Sequence, residues 1–220
     1  MFIGHAAVGF ASKAVAPRAS LGILLAAPFL LDLLWPVFIL TGVESASIEP
    51  GNTVFTPIAF DSYPWSHSLL MAVLWGALFG FLVHVVSRSV TAGVVVSLGV
   101  VSHWICDAVV HRPDLPLTPN GTIFVGMGLW NSRAGTLAVE LPLFALGVWL
   151  YLRTTKPRDA IGRWALAGLI AFFLLAYAGA AFGPPPPNIT VVAWSGIAGL
   201  ILIPWAAWVD AHRVLVDETP

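Results

Sequence analysis

Ser102-His103-Trp104-Ile105-Cys106-Asp107-Ala108-Val109-Val110-His111-Arg112-Pro113-Asp114 is the stretch from which the rest of the chain is read. His103, Asp107 and His111 recur every four residues, a spacing that stacks them on one helical face. They close the apolar run Val94 to Val101, so this helix is expected to enter a bilayer. Ionisable groups at membrane depth are costly and face a cavity or a partner. Three metal-competent side chains on one face read first as a metal site and second as a polar helix end.

Composition sets the class. The chain has 220 residues, 58% of them hydrophobic and 10% charged, with mean hydropathy +0.88. Soluble domains average nearer ~25% charged residues. The expected fold is therefore all-α: a polytopic membrane helix bundle, one integral domain over residues 1–220. A net charge of −1 gives no ground for nucleic acid as a partner. Cys106, the only cysteine, excludes an intrachain disulfide and a thiolate-rich metal site and reads as packing. The first basic residue, Lys13, follows the apolar part of the N-terminal segment, so no cleavable leader is expected.

Six spans are expected, near residues 20–41, 68–87, 91–111, 136–153, 162–181 and 190–209. A short apolar helix at 2–16 carries His5 and is too short for a ~30 Å hydrocarbon core, so it should be buried against the bundle. Asp32 sits in the middle of the first span, flanked by Pro28 and Pro36; proline inside a span frees a carbonyl and can kink the helix. Ser66 is a candidate cap for the second span, and His67 would lie at its first turn. The loops at 42–66 and 112–135 are polar, and long loops are often functional. Pro184 to Pro187 should make a stiff turn. After Asp210 a short polar tail is expected.

Basic residues predict the orientation. Lys13, Arg18, Arg88, Arg153, Lys156, Arg158, Arg163 and Arg213 fall on one side of a six-span topology, against Arg112 and Arg133 on the other. That bias of eight to two predicts a cytoplasmic carboxyl terminus and extracytoplasmic long loops. His67, the His103 helix end and Glu140 then meet Asp32 at one outward-opening pocket, with His5 reaching it from below.

Histidine and aspartate are nitrogen and oxygen ligands of zinc. Asp32, His67, His103 and Asp107 give a four-ligand set, and His5 can join it or serve a second ion. Zinc is the first choice, one or two ions, with manganese or iron open in the absence of thiolates. Glu140 and His111 are the candidate catalytic groups: Glu140 as a base or a further ligand, His111 as a base, a ligand or a solvated helix-end residue. His84 and His212 read as interfacial and as a tail residue. Trp35, Trp65, Trp104, Trp130 and Trp205 read as packing or interface aromatics. No Gly-rich phosphate loop of the Walker or Rossmann type is present.

His5, Asp32, Trp65-Ser66-His67-Ser68 and His103-x3-Asp107 resemble the bacterial inner-membrane metal-dependent hydrolase family, the YdjM-like group. The order His, Asp, His, His-x3-Asp and a later Glu is also similar to the zinc-dependent phospholipase C pattern. The resemblance covers about residues 1–150, within an expected metal-site core over 1–153, and leaves the last two spans, within 154–220, outside it. It implies that Asp32, His67, His103 and Asp107 form a first metal site, with His5 on a neighbouring ion. The chain departs from the pattern in three places, one of them Tyr63-Pro64-Trp65 where the family shows a His-Arg ahead of the His-Ser pair. Asp32 stands alone where the family shows a Pro-Asp-x-Asp motif, and Thr136 lies four before Glu140 where the phospholipases carry His-x3-Glu. Three functions follow as expectations: a membrane-embedded hydrolase of a phosphoester in a lipid or lipid-linked substrate; a small transporter or metal-handling protein; or a structural membrane protein. Polar residues in a structural protein would act as interhelical glue.

Overall fold

The computed structural model describes residues 1–216, so the last four residues of the expected tail lie outside the described residues. The architecture is all-α. Six helices are long and apolar enough to cross a membrane: α2 (Leu21–Thr41), α4 (Leu69–Ser87), α5 (Val90–Val110), α6 (Arg133–Thr154), α7 (Ala160–Phe182) and the broken sixth span, α8 (Ile189–Ala198) with α9 (Leu202–Ala211). A 3-10 turn at Gly199–Ile201 joins α8 to α9. The short helix α1 (Ile3–Ser12) packs among α2, α5 and α6.

Each span starts on a side-chain cap. Ser20, Ser68, Ser89, Ser132, Asp159 and Asn188 accept hydrogen bonds from backbone N–H groups in the first turns of their helices, the donors that a helix start leaves unpaired. The second span is therefore capped by Ser68 and not by Ser66. The chain first makes a separate turn, α3 (Pro64–His67), and Ser68, with ψ 150, breaks it before α4 begins. Ser66 is thereby free for the site.

Helix ends also differ from the sequence expectation. α1 stops at Ser12, and the Lys13 ammonium just after it turns to Ala19 O and Asp210. α5 stops at Val110, and His111 is extended (φ −63, ψ 147); Pro113 disfavours helical geometry at the residue before it. His111 is thus one residue past the face that its spacing implied.

Small residues set the closest approaches. Gly80 and Gly93 face each other across α4 and α5: a Cβ on Gly93 would lie 2.8 Å from Gly80 O. Such contacts let helices pack where lipid supplies no hydrophobic drive. On α6, a Cβ at Gly147 would collide with the Ala7 backbone, so this glycine lets α1 settle into the bundle.

The long loops carry short antiparallel ribbons, β1 (Ser45–Ile48) with β2 (Ile58–Ser62) and β3 (Leu115–Pro116) with β4 (Phe124–Val125). At the other end, β5 (Thr155–Pro157) pairs with β6 (Arg213–Leu215). The start of the expected tail is therefore tied to the loop before α7. Two apolar cores lie side by side, one around Phe10, Phe144 and Phe173, the other around Leu31, Val96 and Val100. The candidate site sits between them.

Candidate metal centre

Four helical elements contribute. His5 comes from α1, Asp32 from the middle of α2, His67 from α3, and His103 with Asp107 from α5. His5, His67, His103 and Asp107 are at most 3% exposed. Asp32 has 41% of its side chain accessible and lines a cavity beside α2.

The contacts are dense. His103 Nε2 lies 3.0 Å from Asp107 Oδ2, 3.2 Å from His67 Nε2 and 3.8 Å from Asp32 Oδ1. His67 Nε2 is 3.5 Å from Asp32 Oδ1 and 3.9 Å from Asp107 Oδ2. His5 Nε2 is 3.1 Å from Asp107 Oδ1, and its ring stacks on His103 with centroids 3.9 Å apart. The Met1 backbone nitrogen also contacts Asp107 Oδ1.

The outward-facing nitrogens fix the tautomers. His103 Nδ1 lies 2.7 Å from Pro28 O, and a carbonyl only accepts, so Nδ1 carries the hydrogen. The acceptor is Pro28's own carbonyl, not the Leu24 carbonyl that the proline leaves without its helical N–H. Ser66 Oγ donates its one hydrogen to Glu44 Oε2 at 2.6 Å. It must then accept from His67 Nδ1–H, 2.7 Å away. Glu44 is itself buried and also takes the Trp65 and Ser66 N–H groups.

With both Nδ1 atoms protonated, His67 and His103 in their neutral forms point two Nε2 lone pairs at each other at 3.2 Å. Neither can donate to the other, and the adjoining Asp32 and Asp107 carboxylates only accept when ionised. Acceptors facing acceptors in a buried site call for a cation. Burial lowers the pKa of His67. Burial brings His5 down to about 3. Both rings are thereby kept in the neutral, metal-binding form.

The spacing fits a metal as well. Ligand atoms of His5, His103 and Asp107 lie within 4.8 Å of one another, and so do those of Asp32, His67 and His103. Nitrogen and oxygen ligands at ~2.0–2.2 Å from a tetrahedral ion stand roughly 3.3–3.6 Å apart, within the observed 3.0–3.9 Å separations. The buried His and Asp groups can hold a metal ion; His103 belongs to both groups, and its one Nε2 lone pair serves a single ion.

The two remaining sequence candidates lie beside this centre in different ways. His111 is buried; its Nε2 is 3.8 Å from Asp107 Oδ2 and its Nδ1 is 3.0 Å from Asp114 Oδ1. Tyr63 OH donates to the same Asp114 oxygen at 3.1 Å, and Trp130 covers the ring at 4.5 Å. Burial opposes the Asp114 charge, but the hydrogen bond and charge of His111, with the hydrogen bonds from Tyr63 and Arg112, together outweigh it and hold the carboxyl below its usual range. Burial and the Asp114 charge push Tyr63 well up. Glu140 takes the Phe2 and Gly4 N–H groups on Oε2 at 2.9 and 3.1 Å, which secures the start of α1 and hence His5. Its Oε1 is buried without a hydrogen-bond partner.

Sequence reasoning missed Glu44, Asp114 and the Pro28 carbonyl, which orient His67, His111 and His103 from outside. His212, read as a tail residue, pairs with Asp159 at 2.7 Å. No family model, curated protein or solved structure matches the chain.

Proposed function

We propose that this protein is a membrane-embedded, metal-dependent hydrolase acting on a phosphoester in a lipid or lipid-linked molecule. One observation carries the reading: the Nε2 atoms of His67 and His103 face each other and two carboxylates with no donor among them. Zinc suits this nitrogen and oxygen set. His5, Asp32, His67, His103 and Asp107 would hold it, as the resemblance to the YdjM-like hydrolases implies. Such an ion, when bound, supplies Lewis acidity toward a phosphoryl oxygen and toward water. The bacterial inner membrane is what the resemblance implies, and the basic-residue bias supports a site toward the extracytoplasmic side.

The chain's own groups then divide the work. His111 takes a proton at Nε2 from the attacking water, while Asp114 holds its Nδ1–H and Trp130 keeps bulk water from the ring. Glu140 positions α1. Phe60 and Tyr63 wall His111 on the loop side, with Phe60 4.8 Å from the imidazole. A translocation path fits less well. It needs unpaired polar groups continuing to the opposite end, where Lys13, Asp210, Tyr151 and Arg213 bond to one another or to the backbone.

The test is a panel of phosphomonoesters, phosphodiesters and lipid phosphoesters assayed on zinc-loaded protein beside His111→Ala. Turnover of at least one lipid phosphoester is expected, reduced about 10²–10⁴-fold by the substitution. No turnover on any member, from protein shown to hold zinc, would reject the hydrolase reading.

A further inference from the structure

A cavity of about 780 Å³ lies between α2, α7 and α8 under the 50–58 loop, within the range of ligand pockets. Only Asp32 and Arg133 carry charged side chains among the described residues that line it. Phe172 and Val191 on its wall are 41% and 44% exposed, so it opens sideways between α7 and α8, where hydrocarbon surrounds a spanning bundle. Small residues keep it open. A Cβ added at Gly179 or Gly199 meets nothing within 4 Å, and both line the cavity.

Its two charges lie at meaningful places. Asp32 is at once a wall residue and a member of the metal centre. Arg133 stands at the loop end, at the first residue of α6. One guanidinium nitrogen donates to Val54 O at 3.1 Å and the group rests over the Phe182 ring. No carboxylate among the described residues pairs with it. A cation without an acidic partner at the mouth of an apolar slot selects for an anion attached to a hydrocarbon.

We propose that this cavity is a lateral slot for one acyl chain of an anionic membrane lipid, with Arg133 holding the phosphate-bearing headgroup and Asp32 marking where the slot meets the metal centre. The slot deepens the hydrolase reading and rests on it only for what becomes of the lipid. It also accounts for α7 and α8, which lie outside the family resemblance, since these helices complete the chain-binding wall. A mostly apolar cavity bordering a bilayer is filled by hydrocarbon more readily than by water, and lipid is the one apolar occupant always present at that opening.

The probes are a phosphatidylglycerol and a phosphatidylcholine with the same diazirine-bearing acyl chain, photolysed in nanodiscs holding the full-length protein and mapped by peptide mass spectrometry. Adducts are expected to concentrate on cavity residues of α2 and α7, to be stronger with the phosphatidylglycerol, and to fall when excess unlabelled phosphatidylglycerol is added. Gly179→Phe fills open space and improves helix propensity, so it should abolish the α7 cavity adducts while leaving those on outward faces of α4 intact. Arg133→Gln should equalise the two probes. Cavity labelling no denser than on α4, or not competed by unlabelled lipid in the wild type, would overturn the slot; equal labelling by both wild-type probes would overturn the Arg133 anchor. Metal content is measured on the same samples. Metal bound with the slot unlabelled defeats the slot alone, whereas saturable labelling without stoichiometric metal defeats the hydrolase reading alone.

Discussion

Two buried polar clusters lie at opposite ends of this apolar bundle, and their balance of donors and acceptors differs. At the end near β5 and β6, Lys13 Nζ donates to Asp210 Oδ2 at 2.6 Å and to Ala19 O at 2.8 Å. Tyr151 OH donates to Asp210 Oδ1, and Leu21 N–H to Asp210 Oδ2. Arg213 donates to Thr155 Oγ1, Thr155 O and Gly162 O. Donors meet acceptors throughout, and the result is a clasp joining α1, α6 and α9. At the other end, the Nε2 atoms of His67 and His103 converge with the Asp32 and Asp107 carboxylates, their Nδ1 hydrogens turned outward, and only Asp107 Oδ1 is met by further nitrogens, those of Met1 and His5. The first cluster is complete as it stands; the second has the spacing to hold a cation. Burial and charge alone do not separate the two, because both are costly at membrane depth. The count of donors does.

That contrast makes its strongest prediction at the clasp. Lys13→Ala leaves Asp210 buried without its cation, a change that costs about 3–5 kcal/mol when a buried pair is broken. Thermal unfolding in detergent should show a large drop in midpoint, while metal bound per folded molecule stays at the wild-type value. Metal lost in proportion to stability would mean that the two ends are not separate in function.

A smaller effect is expected from Ser66→Ala. It removes the acceptor that fixes His67 Nδ1–H, so the ring can present either nitrogen. Partners of this kind are worth about 10–100-fold in metal affinity, which competition against a chelator would measure. An unchanged affinity would show that Ser66 and Glu44 do not orient the ligand. The mildest expectation concerns neither cluster. Asn188→Ala removes the cap on Val191 N–H and should cost about 1 kcal/mol in stability, with metal affinity unaltered; a metal defect there would tie the sixth span to the centre more closely than its contacts do.

The candidate ligands were legible in the sequence for a physical reason. Asp32, His103 and Asp107 are polar interruptions in apolar runs, and each invites a functional explanation. His5 and His67 stand beside spans and become meaningful once the topology brings helix ends together. Their supporting groups were hidden for equally physical reasons. Glu44 and Asp114 lie in polar loops where carboxylates are ordinary, and the Pro28 carbonyl is backbone, which no residue pattern reports. Lys13, Asp210 and Arg213 were hidden too, since charges at span ends are expected at an interface, and nothing in their spacing shows that the tail folds back on the 155–157 segment. His111 shows how sensitive a spacing argument is to a helix end. The four-residue repeat counted it on the face, but α5 stops before it, and it reaches the centre from an extended segment held by Asp114.

The most direct measurement is elemental analysis of the purified protein, wild type beside Asp107→Ala, with folding of both checked by circular dichroism. One or two equivalents of a divalent metal, zinc foremost, are expected in the wild type, with loss of that metal in the folded variant. A wild type without stoichiometric metal after loading with zinc, manganese or iron, or a variant that retains it in full, would contradict the central claim.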